Sequence, residues 1–396
     1  MTVSSHPRNF DTVDLKRRVP VYVVWELTLA CNLRCTHCGS RAGESRISEL
    51  STDECLALVD RLAELGTREI TLIGGEAFLR RDWLEIVQRI ARRGILCTLQ
   101  TGGYGLGEEL IRRAQSAGLS GVGVSVDGLE TTHDILRGRI GSYRSALTAL
   151  EFAHKVGIET SANTQINSKS AAELPELYEL LRTCGIRAWQ LQLTVAMGNA
   201  ADNSNILIQP YELSELMPMI ASLTRRGSAD GIRIIPGNNI GYFGPYEHLL
   251  RGPDFSSDVY DGCRAGIDGM GIEADGTVKG CPSLATARYS EGNLRKVDIG
   301  KLWHGQGKFS LNRTDPRTYS GYCSECYYRD SCRSGCVWTS DSLFGEAGNN
   351  PYCYYRVLEL KKQNIREKVV KVTEAENASF ATGKFSIVQE EWNEQA

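Results

Sequence analysis

Short apolar or β-branched runs alternate with amphipathic helical patterns about six times between residues 20 and 226. The runs at 21–27, 69–73, 95–100, 121–126, 158–165 and 188–193 read as strands. The segments near 52–65, 82–93, 107–117, 142–156, 172–184 and 211–226 read as helices. The first of these opens on a capping box, Ser51 with Glu54, buries Leu56, Val59, Leu62 and Ala63, and stops at Gly66. Strands alternating with helices imply a parallel sheet joined by right-handed crossovers. Six units are too few for a closed eight-stranded barrel. The expected fold class is therefore α/β, a partial (β/α)6 TIM-like barrel open on one side. Ligands of such sheets collect at the carboxyl ends of the strands.

The chemistry-bearing residues cluster at those ends. Cys31, Cys35 and Cys38 follow the first strand in C-x3-C-x2-C spacing, and the next cysteine, Cys55, falls in a helix pattern. A cubane iron–sulfur cluster usually takes four thiolates, so three would leave one iron open to a ligand that is not protein. The alternative is a zinc knuckle that borrows a distant ligand or His37. Gly74-Gly75-Glu76 follows the second strand and Thr101-Gly102-Gly103 the third. Ser125-Val126-Asp127-Gly128 follows the fourth, with His133, Asp134 and Arg137 beyond. Asp127 reads as a turn or capping residue. Asn163, Gln165 and Gln192 stand on the fifth and sixth strands, facing either a ligand or the barrel packing.

Seven further cysteines lie toward the carboxyl end. Cys263 and Cys281 come first, then Cys323, Cys326, Cys332 and Cys336 in C-x2-C-x5-C-x3-C spacing, and Cys353 17 positions on. A zinc ribbon is the alternative to iron–sulfur ligation. Cys55, Cys97 and Cys184 read as ordinary buried thiols. Thirteen cysteines, an odd number clustered like metal ligands in a chain of 396 residues without an apolar signal segment, point to a reducing cytoplasm. A formal charge of −3 gives no basic stripe for nucleic acid, and no apolar run is long enough to span a bilayer.

Cys31-Asn32-Leu33-Arg34-Cys35-Thr36-His37-Cys38 resembles the signature of the radical S-adenosylmethionine superfamily, with His37 where an aromatic is usual. The resemblance implies a 4Fe-4S cluster whose open iron is chelated by S-adenosyl-L-methionine. Its reductive cleavage gives a 5′-deoxyadenosyl radical that removes a hydrogen atom from substrate. Gly74-Gly75-Glu76 resembles that family's GGE motif, which implies hydrogen bonds to the ammonium of the nucleoside; Ala77 replaces the usual proline. Ser125 and Arg137 match positions that touch its ribose and carboxylate, and Gln192 is a further candidate contact.

The seven-cysteine spacing is similar to that of the SPASM domain, and implies two auxiliary clusters. Cys323, Cys326, Cys332 and Cys353 would ligate the outer one. Cys263, Cys281 and Cys336 would ligate the inner one, with an open or non-thiolate position for which Asp268 is a candidate, or in a 2Fe-2S form. The implied organisation is an N-terminal extension (1–20), the radical SAM barrel (21–226), a glycine-rich bridging loop (227–260), the SPASM domain (261–355), and a C-terminal charged helix with a frayed tail (356–396). Tyr242, Phe243 and Tyr246 in the bridge either line a substrate channel or pack together.

Trp25-Glu26-Leu27-Thr28 is similar to the mycofactocin and pyrroloquinoline-quinone maturases. The implied activity is oxidative modification of a ribosomally made precursor peptide by crosslinking, decarboxylation or epimerisation. Alternatives are a sulfatase-maturing or other SPASM dehydrogenase, or, outside enzymes, a multi-cluster electron carrier. Pro282-Ser283 after Cys281 replaces the aspartate base of the sulfatase-maturing relatives. The implied partners are a precursor peptide and a flavodoxin- or ferredoxin-type reductant. About 20 residues before the first strand leave no room for a winged-helix leader-binding domain, so a separate leader-binding protein, or direct capture by the bridge and SPASM region, is expected in its place. No residue is assigned as catalytic acid or base.

Overall fold

The computed structural model describes residues 12–252 and 259–392; most of the N-terminal extension, part of the bridge and the last four residues lie outside them. All six expected strands form: β1 (Tyr22–Thr28), β2 (Glu69–Gly74), β3 (Leu96–Thr101), β4 (Leu119–Ser125), β5 (Glu159–Ile166) and β6 (Ala188–Leu193). They pair in sequence order and in parallel, with Trp25 opposite Leu72, Leu72 opposite Leu99, and Leu99 opposite Val122. The helices between them pack apolar stripes on the sheet. Trp83, Ile86, Val87 and Ile90 bury one face of Trp83–Arg92, and Cys55, Leu58, Val59 and Leu62 one face of Thr52–Glu64. The capping box forms, Glu54 N donating to Ser51 Oγ at 3.3 Å and Ser51 N to Glu54 Oε2 at 2.8 Å. Cys55, Cys97 and Cys184 are buried thiols in this core.

The sheet extends past the six units on both sides. The bridging segment does not stay a loop: it completes the helix Leu213–Asp230 and contributes β7 (Arg233–Pro236), parallel to β6. β8 (Gly269–Ile272), from the SPASM region, pairs in parallel with β1, Val24 opposite Gly271 and Trp25 opposite Ile272. β9 (Thr277–Lys279) and β10 (Ser290–Asn293) follow as antiparallel strands. The resulting order, β10-β9-β8-β1-β2-β3-β4-β5-β6-β7, is linear, so the barrel stays open. β1 carries the deeply buried Val23, Trp25 and Leu27, and an unpaired edge on so buried a strand would orphan its backbone groups. β8 satisfies that edge, and the two modules share one sheet.

The C-terminal tail departs from expectation. The helix Tyr354–Lys362 is followed by a hairpin, β11 (Ile365–Thr373) and β12 (Lys384–Glu391), rather than by a frayed end. The charges of this segment are paired: Arg356 Nε lies 2.7 Å from Glu367 Oε2, both buried, and Arg366 Nε donates to Glu390 Oε1 at 2.5 Å. The helix Glu130–Arg137 is also additional to the reading of the sequence. Among the described residues, no helix is long and apolar enough to cross a membrane.

Candidate active site

Where β1 ends, Glu49 Oε1 accepts from Thr28 Oγ1 and from Leu29 N, each at 2.9 Å, and fixes the exit of the strand. The loop that follows closes on itself, Cys31 N donating to Gly43 O at 3.0 Å and Gly43 N to Leu29 O at 3.1 Å. Its three cysteines are thereby held on one short excursion. The exit of β2 clamps the loop from beneath, with Gly75 N on Thr28 O and Glu76 N on Ala30 O at 2.9 and 2.8 Å. A Cβ on Gly75 would stand 2.2 Å from Ala30 O, so the second glycine of the motif is required by this backbone approach, whatever a ligand asks of it.

Glu76 is buried, its carboxylate accepting from Thr101 Oγ1 and from Gly102 N at 2.7 Å. Burial pushes its acid up to about 7, against the pull of those two hydrogen bonds. On the other side of the loop, Arg34 N and Thr36 N donate to the carbonyls of Arg137 and Leu136 at the end of the helix Glu130–Arg137. Gly138 ends that helix at φ 63, and a Cβ there would meet Arg34 O at 2.3 Å.

Asp127 does more than cap a turn. Its Oδ1 accepts from Gln165 N at 2.9 Å, and its Oδ2 lies 2.6 Å from Arg137 Nη2 and 3.0 Å from His37 Nε2. Arg137 Nη1 in turn reaches Cys35 Sγ at 3.6 Å. His133 accepts from Asp127 N at 3.1 Å, and burial pushes its imidazole down to about 4. Nothing marks Asp127 for this role in the sequence except its place at the end of a strand.

Cys31, Cys35, Cys38, Gly74, Gly75, Glu76, Ser125 and Arg137 line one cleft of about 1210 Å³, including its open mouth. Gln165 lines it too, whereas Gln192 does not and stays half-buried on β6. Asn163 donates instead to Gln100 Oε1. Trp338, Met197 and Phe380 complete the wall together with Glu26 and Glu273, which belong to a charged cluster at the joint with the SPASM hairpin. There Arg46 Nε lies 2.8 Å from Glu26 Oε1, and the fully buried Lys279 Nζ lies 2.6 Å from Glu273 Oε1. A glutamate inside the apolar run of β1 was a legible signal for this cluster.

In the SPASM region, Cys323, Cys326, Cys332 and Cys353 surround a second cavity of about 340 Å³, walled by Tyr242, Phe243, Tyr322 and Tyr328. Phe243 and Tyr328 stack with centroids 3.9 Å apart, and Tyr246 stacks on Tyr354. Tyr242 and Phe243 therefore pack against the auxiliary cysteines. Tyr242 Oη accepts from Cys336 N at 2.7 Å, which ties the bridge to this module. Cys263, Cys281 and Cys336 form the other group: burial, then the Cys281 and Cys336 charges, push the Cys263 thiol up to about 12. The Asp268 carboxylate is taken by Arg264 Nε at 2.5 Å.

The donor sets fit iron–sulfur clusters. Burial pushes Cys31 up to about 11 and Cys35 up to about 12, so as free thiols they hold their protons at neutral pH, and iron would displace them. Among the described residues, no three His, Cys, Asp or Glu side chains converge on a point as ligands of a single ion would. A cubane, with each thiolate on its own iron, asks them to surround a volume instead.

The profile of the radical SAM superfamily matches residues 25–181, and that of the SPASM iron–sulfur cluster-binding domain matches residues 263–327. The chain carries a radical SAM domain followed by a SPASM domain. This radical SAM–SPASM enzyme is 28% identical to the Fe-coproporphyrin III synthase of Methanosarcina barkeri over 358 residues, 86% of this chain and 88% of the relative. It is also 28% identical to the mycofactocin maturase MftC of Mycobacterium ulcerans over 340 residues, 84% of this chain and 86% of the relative. Its fold is similar to that of Streptococcus suis SuiB bound to S-adenosylmethionine, with a TM-score of 0.67 and 16% identity over 86% of this chain and 80% of that one.

Proposed function

We propose that this radical SAM–SPASM enzyme abstracts a hydrogen atom from a residue of a ribosomally made peptide and so modifies it oxidatively. The observation that carries the substrate class is the charge of the cleft. Among the described residues that line it, Glu26, Glu76 and Glu273 are acidic, and Arg137 is the one permanent cation. That guanidinium pairs with Asp127 and, in this reading, serves the carboxylate of the nucleoside, so it is not left for a substrate. A porphyrin bearing propionates meets acidic side chains and no uncommitted cation there, whereas a peptide substrate need bring no anionic group into the cleft. The similarity to a mycofactocin maturase supports the same reading. A second reading, oxidation of a porphyrin side chain, is favoured by the similarity to the Fe-coproporphyrin III synthase.

In this proposal Cys31, Cys35 and Cys38 hold the 4Fe-4S cluster, Glu76 receives the ammonium of S-adenosylmethionine, and Ser125 and Arg137 face its ribose and carboxylate. When bound, the cluster and nucleoside supply an electron-driven cleavage whose product abstracts hydrogen. The polypeptide orients the nucleoside through Glu76 and Arg137, holds Arg137 in place through Asp127, and keeps water from the reacting groups with Trp338, Met197 and Phe380. Cys323, Cys326, Cys332 and Cys353 hold the outer auxiliary cluster and Cys263, Cys281 and Cys336 the inner one, which gives the electron left on the substrate a way out. A flavodoxin- or ferredoxin-type protein serves as reductant.

The test is anaerobic reconstitution with iron and sulfide, followed by S-adenosylmethionine and dithionite with either of two substrates. Short peptides encoded beside the gene should raise 5′-deoxyadenosine formation and change in mass. Modification of an iron porphyrin bearing carboxylate side chains, with every such peptide left unmodified, would replace the peptide reading by the second.

A further inference from the structure

The cleft is finished by a residue that neither the barrel nor the cysteine-bearing segments supply. Phe380 lies in the turn between β11 and β12 and lines the cleft with Trp338, Met197, Val195, Ile272 and Pro282. The turn is hooked onto the cluster loop by several bonds. Phe380 N donates to Gly39 O at 3.1 Å and Gly198 N to Ala381 O at 2.8 Å, while Met197 and Thr382 form an antiparallel bridge. Arg41 donates to Ala378 O at 3.2 Å and to Glu376 O at 3.3 Å while it pairs with Asp202. The ring itself caps the buried ammonium of Lys279, which lies 4.1 Å from its centroid. Trp338 Nε1 donates to Met197 Sδ at 3.3 Å and turns its indole to the same wall.

The backbone at Phe380 has φ 58, in the left-handed region that a side chain bearing a Cβ rarely adopts. Glycine would occupy it without strain, yet the position carries a large ring. Non-glycine residues persist in this conformation where surrounding structure over-determines them, and such residues gather at ligand sites. The ring has two neighbours, the Lys279 ammonium and the cleft that it helps to line.

We propose that Phe380 is a specificity-determining residue: with Trp338 and Met197 it forms an apolar seat for an aromatic or branched aliphatic side chain of the substrate. The identity of the occupant as a peptide side chain rests on the peptide reading above. The seat rejects acidic side chains twice over, since it is apolar and since Glu26 and Glu273 share its wall.

The probes are N-acetyl-phenylalaninamide, N-acetyl-leucinamide and N-acetyl-aspartamide, offered to the reconstituted full chain saturated with S-adenosylhomocysteine and followed by saturation-transfer NMR. The wild type should bind the two apolar amides roughly tenfold or more tightly than the acidic one, as expected for burying one such side chain. Phe380→Gly removes the ring while suiting the backbone. It should keep its iron content and melting temperature and lose the preference. Phe380→Leu should keep the preference for the leucine amide and weaken that for the phenylalanine amide. Val388→Ser, on the exposed face of the same hairpin, should change neither. A wild type without preference, or a preference unaltered in Phe380→Gly, overturns the proposal. Should Phe380→Gly lose iron or unfold, an unaltered preference pattern in Phe380→Leu overturns it instead. A Phe380-dependent preference with no peptide ever modified would sink the peptide reading and leave the seat standing; peptide modification indifferent to Phe380 would do the reverse.

Discussion

Asp127 Oδ2 stands 2.6 Å from Arg137 Nη2, both side chains buried, and this one contact ties the end of β4 to the helix that braces the three-cysteine loop. Asp127→Ala would leave a guanidinium uncompensated in the interior, beside Cys35. Removing one partner of a buried pair costs about 3–5 kcal/mol, and Asp127→Asn, which keeps hydrogen-bonding capacity, should cost less. Denaturant titration of the anaerobic holoprotein measures both. Burial opposes ionisation of Asp127, but Arg137 and then His37 outweigh it and hold the acid well below the usual range. Its folded pKa being lowered, the stability it contributes is fully present above the unfolded value of about 3.9 and is lost only as pH falls through the depressed one. A destabilisation by Asp127→Ala no larger than that of a surface substitution would refute this account.

Glu76 has the opposite sign. Its acid is pushed up to about 7 by burial, so between the unfolded value of about 4.3 and that point the folded chain binds the extra proton. Stability without nucleoside should therefore fall as pH rises through this window. The carboxylate form is the one that accepts from an ammonium, so S-adenosylmethionine should bind with proton release near neutral pH. Calorimetry in two buffers of different ionisation enthalpy should find that release in the wild type and not in Glu76→Gln. Equal proton release in both would remove Glu76 from the nucleoside site.

The two cysteine groups should separate by function. Cys31→Ala should abolish 5′-deoxyadenosine formation while much of the iron stays bound. Cys353→Ala, which opens the 340 Å³ cavity of the SPASM region, should lower iron per chain and leave cleavage of S-adenosylmethionine without substrate in place. Iron analysis and chromatography of the nucleoside product read both. Loss of that cleavage in Cys353→Ala, with iron at the Cys31 group retained, would contradict the separation.

What the sequence made legible was what local pattern encodes. Period-2 and period-3.6 burial placed the six strands and their helices, and cysteine spacing marked both constellations, because each is written within a few residues. The share of β8 in the barrel sheet was hidden, since pairing Trp25 with Ile272 is a long-range choice that neither strand announces. The C-terminal hairpin was misread because Arg366 and Glu367 look solvated in sequence and are in fact partnered by Glu390 and Arg356. Phe380 had no signal at all: its place follows from where the hairpin turn docks. Glu26 did have one, an acid within Val23-Val24-Trp25-Glu26-Leu27, yet its partner Arg46 comes from another segment and in turn reaches Glu273, the partner of Lys279.

Lys279 is the most exacting member of that last group. It is wholly buried, with Nζ 2.6 Å from Glu273 Oε1 and donating to Leu284 O at 2.7 Å. An ammonium and a carboxylate in such surroundings are stabilised mainly by one another, so the two substitutions should not be additive. Lys279→Met leaves Glu273 with Thr286 and a distant Arg46, and should cost about 3–5 kcal/mol. Lys279→Met combined with Glu273→Leu replaces the pair by apolar groups and should recover a large part of that loss, a coupling of about 1–3 kcal/mol. Because both residues flank the cleft and Cys281, the double variant should regain stability without regaining wild-type turnover. Additive single and double costs in a denaturant-melt cycle would show that the pair is merely adjacent, and that the joint between barrel and SPASM hairpin is held by packing rather than by charge.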